Sequence, residues 1–331
     1  MPLLLAEADV KALLTMPLAL EAVETSFQRL ADGQAVLQYR QRLHVPGKGV
    51  LNHMAAADLV TGYMGLKIYS ISRTGARFVV TLFSAESGDL VALIEADTLG
   101  QMRTAAASGV ATRLMARVDA RVAAIIGTGL QARTQIEALA AVRKLDSIRA
   151  FGRDAGRKET FAREMSGRLG VQVTPVASAE EAVRGAQIVT TCTTSKVPVL
   201  EGRWLEPGMH LNAVGVNQAQ KRELDTDAVL RCGMIVADSR EQSKIESGDL
   251  IQAFAGDVSR WGSVRELAEI VSGKIPGRAG ADQITLFKSN GVATEDIVVA
   301  GSIYEMALER GMGKMVPMWE EKARSVAERG V

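Results

Sequence analysis

The amino-acid sequence predicts an α/β protein in two units, and three observations carry that reading. From Arg121 onward, short apolar runs alternate with helical segments. Before about residue 118 no such alternation is present. The first apolar run after Arg121 ends in a glycine-rich turn. At about 150 residues per domain, a chain of 331 residues also has room for two domains.

In the first unit, Pro17 opens a predicted helix to about Leu30, with Leu18, Ala22, Val23, Ser26 and Leu30 along one stripe. From Val36 the period becomes two. Leu37, Tyr39, Leu43 and Val45 share one parity, and Gln38, Arg40, Arg42 and His44 the other. Further strands are expected at 62–70, 78–84 and 90–95, with Ser87-Gly88-Asp89 as a turn. Asp97 or Thr98 is expected to cap a helix through Met115. The pattern is an antiparallel sheet with flanking helices.

In the second unit, buried strands are expected at 122–126, 147–151, 171–175, 188–192, 210–215 and 234–238. Helices are expected at 130–142, 155–169, 179–185 and 225–230, and Ser178 with Glu181 fits a capping box. This spacing implies a parallel sheet covered on both faces. A strand at 284–289 and a helix at about 294–311 close the pattern.

Composition excludes several function classes. Hydrophobic residues make up 47% and charged residues 23%, so the chain is neither disordered nor collagen-like. A net charge of +1 and 4% aromatic residues argue against a nucleic-acid partner. Cys192 and Cys232 alone make neither a disulfide framework nor a thiolate zinc site, and His44, His53 and His210 lack metal-pair spacing, so no metal is expected. No apolar stretch approaches the roughly 20 residues that span a bilayer. Glu7 and Asp9 precede any apolar run that a basic stretch introduces, so no signal peptide and a cytoplasmic location are expected.

The segment Val122–Ile126 runs into Gly127-Thr128-Gly129-Leu130-Gln131-Ala132 and then a helix. Gly127 permits the tight turn, Gly129 lets the backbone approach a pyrophosphate, and Ala132 allows close helix–strand packing. The helix N-terminus offers free N–H groups to phosphates. In this strand–turn–helix context the motif predicts a Rossmann domain binding a dinucleotide. An NAD-selective site carries an acid at the end of the second strand. Here Phe151-Gly152-Arg153-Asp154 has glycine at that place. Arg153 would pair a 2′-phosphate, favouring NADPH over NADH; the alternative is a solvated arginine, with Asp154 serving as the acid.

Three cations stand in unusual company. Arg103 shares a helical face with Ala107, Val110 and Leu114, where a guanidinium needs an anionic partner. Lys67 lies across its strand from Met64, Leu66 and Ile68, and Arg42 shares a face with Arg40 and His44. By pattern alone, Lys67 and Arg42 read as solvated residues on a polar strand face.

Gly65-Leu-Lys67, Arg103-Thr-Ala-Ala-Ala-Ser108 and the turn at Gly127–Ala132 occur in the order and spacing of the ornithine cyclodeaminase/mu-crystallin family. So do Asn212-Ala-Val-Gly215, Arg222-Glu-Leu-Asp225, Glu246-Ser-Gly-Asp249 and Phe287-Lys-Ser-Asn-Gly291. The chain resembles that family over nearly its whole length. The resemblance implies a split domain for substrate binding and dimerisation, set at 1–118 with 312–331, around a Rossmann domain at 119–311. It implies that Arg42, Lys67 and Arg103 hold a substrate carboxylate or assist proton transfer. Thr191, Thr193 and Val214 would line the cofactor groove, and Ser289 to Val292, Gly291 included, would close it.

One departure bears on the reaction. The cyclodeaminases carry a basic Asp in the loop after the Asn-Ala-Val-Gly strand, where this chain has Asn217, and an amide cannot accept a proton from an amine. The resemblance then points to reduction of an α-imino acid, a cyclic ketimine such as pyrroline- or piperideine-2-carboxylate. Arg42 and Arg103 would grip the carboxylate, Lys67 would donate to the carboxylate or the imine nitrogen, and Asn217 would position the ring, in a homodimer with no nucleic-acid or membrane partner. Three other readings stay open: an amino-acid dehydrogenase or N-alkyl amino-acid synthase on open-chain imines, a cyclodeaminase-type lyase, and an NADPH-dependent small-ligand-binding protein of crystallin type.

Overall fold

A computed structural model describes residues 1–318. The first unit opens with β1 (Leu3–Leu5), α1 (Glu7–Leu13) and α2 (Met16–Ala31). It continues through β2 (Ala35–Val45), β3 (Gly49–Asp58), β4 (Tyr63–Ser72), β5 (Gly75–Ser84) and β6 (Leu90–Glu95) into α3 (Asp97–Met115). The second unit begins with β7 (Val122–Ile126), α4 (Leu130–Val142), β8 (Ser147–Phe151), α5 (Ala155–Leu169), β9 (Gln172–Pro175) and α6 (Ala179–Val183). There follow β10 (Ile188–Thr191), β11 (His210–Ala213), α7 (Thr226–Leu230), β12 (Met234–Ala237), α8 (Arg240–Glu246) and α9 (Gly248–Ala253). The last elements are β13 (Arg265–Glu266), α10 (Leu267–Val271), β14 (Thr285–Lys288), α11 (Ala293–Arg310) and β15 (Lys314–Met315).

Strands β7 to β14 form one parallel sheet in the order β13-β12-β14-β11-β10-β7-β8-β9. The chain winds outward from β7 to β9 and returns on the other side of β7 at β10. Ligands of such sheets bind at the carboxyl ends of the strands flanking this switch.

The first unit is a sheet ordered β15-β1-β6-β5-β4-β3-β2, antiparallel from β2 to β6, with β1 parallel to β6. Helices α2, α3 and α11 cover its inner face. Helix α3 is buried on nearly all sides, as its run of alanines allows, because it lies between the two units. Its first turn differs from expectation. Neither Asp97 nor Thr98 caps it from its own side chain; the Glu7 carboxylate accepts both their backbone N–H groups, at 2.6 and 3.1 Å.

Two further corrections concern boundaries and faces. Helix α11 falls within the segment 119–311 assigned to the Rossmann domain, yet it packs on α2, α3 and β2 to β5 of the first unit. An apolar helix after a parallel strand reads as one more crossover, and only packing shows where it goes. Residues 312–318 include β15, which pairs with β1, and residues 319–331 lie outside the described chain. The second correction is a β-bulge between Gln38 and Gln41, which shifts register against β3. It exchanges the faces of β2, since one extra residue inverts every side chain beyond it. Leu37 faces the core whereas Leu43 and Val45, of the same parity, lie exposed, and Arg40 turns inward to be buried. On β4 the expected faces are likewise reversed: Lys67 points into the fold and Met64 outward.

Candidate active site

Many of the residues singled out above, Lys67, Arg103, Thr193, Val214 and Asn217 among them, meet at a cavity of about 600 Å³ between the two units. The parallel sheet contributes the ends of β10, β11 and β14, through Thr193, Val214 and the segment Ser289–Gly291, together with Leu130 and Gln131 at the start of α4. The first unit contributes Arg40, Lys67, Tyr69, Phe78, Gln101 and Arg103. Tyr69 stacks on Phe78 with ring centroids 5.0 Å apart, and Lys67 Nζ lies 5.7 Å from the Phe78 ring.

The dinucleotide turn has the geometry such a ligand needs. Gly127 sits at φ +111°, and a Cβ there would lie 2.7 Å from the Cys192 carbonyl oxygen. A Cβ on Gly129 would meet nothing within 4 Å, so the backbone there is open. No side chain caps α4, which leaves its first N–H groups free. Ala132 is fully buried against the sheet. Thr191 departs from expectation: it is buried, its hydroxyl donates to Glu223 at 3.0 Å, and it does not line the cavity.

At the end of β8, Gly152 packs on Thr128, whose hydroxyl a Cβ would overlap. Asp154 Oδ1 accepts the Arg157 N–H at 2.9 Å and so caps α5. Arg153 is exposed and, among the described residues, makes no hydrogen bond or ion pair.

The cationic side of the cavity is built from buried ion pairs. Asp296 Oδ1 lies 2.7 Å from Lys67 Nζ and 3.0 Å from Arg103 Nε, and Glu295 Oε2 lies 2.7 Å from Arg103 Nη1. Both acids are fully buried in the first turn of α11, where the helix dipole favours negative charge. Burial, reinforced by Arg103 and partly opposed by Asp296, brings the Lys67 ammonium down to about 8. Burial would lower Arg103 too, but Asp296 and Glu295 outweigh it and hold the guanidinium above its ordinary value. Burial raises Glu295 to about 7, against the pull of Arg103.

Arg40 and Arg42 exchange the importance expected of them. Arg42 does not line the cavity; its Nη2 donates to Glu246 at 2.6 Å and to the Asn217 carbonyl at 2.7 Å. Arg40, named at first only as its neighbour, lines the cavity, pairs with Glu246, and leaves its buried Nε without a partner. The two arginines share one face of β2, so alternation alone cannot separate them, and position along the strand decides which one reaches the cavity. Asn217 does line the cavity, with its side-chain amide 3.5 Å from the Asn290 carbonyl.

The sequence motifs without an obvious role lie just behind these residues. Glu223 accepts hydrogen bonds from the Thr193 and Gly215 N–H groups, at 2.6 and 2.7 Å. Asp249 holds the Glu223 backbone N–H at 2.7 Å and pairs with buried Lys288. The Asp238 carboxylate takes the backbone N–H groups of Asn290 and Gly291. Buried carboxylates thus fix the loops that end β10, β11 and β14.

A switch-point crevice with a phosphate-binding turn, facing a cluster of buried cations, defines a two-domain dinucleotide-dependent oxidoreductase. The chain belongs to the ornithine cyclodeaminase/mu-crystallin family, whose model matches residues 1–311. It is 34% identical over 261 residues to a Delta(1)-pyrroline-2-carboxylate reductase of Bacillus cereus, covering 76% of this chain and 80% of that one. The structure of a Thermococcus litoralis Delta(1)-pyrroline-2-carboxylate reductase in complex with NADH and L-proline superposes with a TM-score of 0.91. That protein is 36% identical, over 95% of this chain and 100% of that one. An archaeal alanine dehydrogenase dimer with bound NAD is similar at a TM-score of 0.90 and 31% identity, over 96% and 99% of the two chains.

Proposed function

We propose that this enzyme reduces the C=N bond of an imine adjacent to a carboxylate, a cyclic ketimine of the pyrroline- or piperideine-2-carboxylate type, with NADPH preferred. The observation that carries this reading is the charge arrangement at the cavity. Four cations, Arg40, Arg42, Lys67 and Arg103, pair with only three carboxylates, Glu246, Glu295 and Asp296. Within these pairs the cations outnumber the carboxylates by one, an excess that favours an anionic ligand. Those acids occupy Nη1 of Arg40 and Nε and Nη1 of Arg103; Arg103 Nη2 is left as a donor for a substrate carboxylate, with the charge of Arg40 lining the same cavity. Likeness to two pyrroline-2-carboxylate reductases supports the same substrate class.

When bound, the dinucleotide supplies the hydride for the imine carbon. Arg40 and Arg103 hold the carboxylate, which orients the reacting carbon, and orientation is the main contribution a protein makes to such a transfer. Lys67 donates a proton to the imine nitrogen, so hydride and proton together complete the amine. Its lowered pKa suits a proton donor working near neutrality. Arg42 acts at one remove by holding the Asn217 backbone, and Asn217 offers an amide where a lyase of this family needs a base.

Gly152, occluded by Thr128, leaves no room for a ribose-binding acid, and Asp154 is engaged as a helix cap. Arg153 is then the free group at that end, suited to a 2′-phosphate. The outer face of the first sheet exposes Leu43, Leu51, Met64 and Val79, an apolar surface that a second copy would cover in a homodimer. Among the described residues, no helix is long and apolar enough to cross a membrane, and we place the enzyme in the cytoplasm.

The test is oxidation of NADPH, and separately NADH, by the purified protein with a cyclic ketimine carboxylate. Saturable turnover with NADPH favoured is the expected result. Turnover only with open-chain keto acids plus an amine would overturn the cyclic assignment, and tight ligand binding without turnover would overturn the catalytic one.

A further inference from the structure

Glu246 ends α8 on the dinucleotide side of the cavity, and its side chain is 2% exposed. One oxygen accepts from Arg40 Nη1 and from Gln242 Nε2, the latter at 2.6 Å; the other accepts from Arg42 Nη2. Both arginines belong to β2 of the other unit. Arg40 Nη2 continues to the carbonyls of Asn290 and Gly291, at 2.9 and 3.0 Å, and Gln242 also donates to Gly291 at 2.9 Å. Arg42 continues to the carbonyl of Asn217.

We propose that Glu246 is a positioning residue: through its arginine pair it sets the carboxylate-holding Arg40 against the loops at Asn217 and Asn290–Gly291, and so aligns substrate with cofactor. The inference deepens the imine-reductase reading and rests on it. Three physical features support it. A buried and a half-buried guanidinium group beside each other repel unless a carboxylate lies between them. A single carboxylate bridging both fixes their separation. And each arginine also donates from Nη2 to backbone carbonyls of the opposite unit, so the bridge transmits a fixed distance between substrate and cofactor walls. Glu246 does not line the cavity, which makes it a positioning and not a catalytic residue.

The test compares wild type with Glu246→Gln and, as a variant at a half-buried side chain, Arg42→Met. Two readouts are taken on each: the primary deuterium isotope effect on kcat with 4-deuterated NADPH, and amide hydrogen exchange around residues 215–220 and 288–292. Expected are a kcat at least tenfold lower with substrate KM and NADPH Kd within threefold, an increased isotope effect, and exchange at both loops at least tenfold faster. A merely structural role would lower the melting temperature or the active fraction but leave the isotope effect of the surviving enzyme unchanged. Unchanged loop exchange in both variants overturns the proposal even if activity falls. If wild type itself turns over no imine, the functional reading fails, while the exchange experiment still decides whether Glu246 anchors the two loops.

Discussion

The Lys67 ammonium lies 2.7 Å from the Asp296 carboxylate, across 229 residues of sequence and between a strand and the first turn of a helix. Asp296 also receives Arg103, so one buried carboxylate holds the proposed proton donor and a proposed carboxylate-binding group together. Its second oxygen, Oδ2, is buried without a partner among the described residues. This arrangement fixes Lys67 in direction while burial and Arg103 lower its proton affinity.

Protonated Lys67 is the acid in the proposed reaction, and its pKa is about 8. The acid form predominates below that value, so kcat/KM for imine reduction is expected to fall as pH rises through about 8. Lys67→Met should lower kcat/KM by about 10²- to 10⁴-fold, the usual weight of a positioned proton donor, and flatten the alkaline limb. A profile that keeps its alkaline limb in Lys67→Met would assign the proton to another group.

Replacing Arg103 with Leu removes a carboxylate ligand and leaves Glu295 and Asp296 with one cation, Lys67, between them. Substrate KM should rise by about 10- to 100-fold, the equivalent of a lost charge-assisted contact, with NADPH Kd unchanged. Stability should fall by about 3–5 kcal/mol, because one side of a buried ion cluster is left uncompensated. Steady-state kinetics and denaturant unfolding read the two effects separately.

Arg153→Ala should weaken NADPH by about tenfold or more while leaving NADH nearly unaffected, as expected for a charge-assisted contact to phosphate. Fluorescence titration of both cofactors measures it. Equal losses for the two would mean that Arg153 contacts the adenosine without discriminating a 2′-phosphate.

Leu51→Lys and Met64→Lys place charges on the exposed apolar face of the first sheet, at side chains 40% and 37% exposed. Sedimentation should show wild type as a dimer and the double variant as a monomer. A dimer that survives both substitutions would place the interface elsewhere.

Much of the second unit was legible because its signals are local. The helix at 130–142 and the strand at 147–151 occur at those bounds, and Ser178 accepts the Glu181 N–H as its spacing implies, although Glu181 itself reaches the Ala177 N–H. Turn geometry, capping and buried strands depend on neighbours a few residues apart. The first unit was less legible. Periodicity there separates two faces but does not say which faces inward, and on β4 the apolar side faces outward. A single extra residue near Arg40 then exchanged the faces of β2, and of the two arginines on the inward face it is Arg40 that reaches the cavity.

Local patterns in the chain are enough to specify the parallel α/β unit, its dinucleotide turn, the missing acid at Gly152 and the need of Arg103 for an anionic partner. Each follows from short-range geometry or from the cost of burying an unpaired charge. Which anions those are depends on the packed fold. Glu295 and Asp296 stand almost 200 residues from Arg103, and Glu246 about as far from Arg40 and Arg42. Ion pairs of that span are chosen by how two sheets and the helix α11 pack, and packing is a property of the whole chain, not of any segment of it.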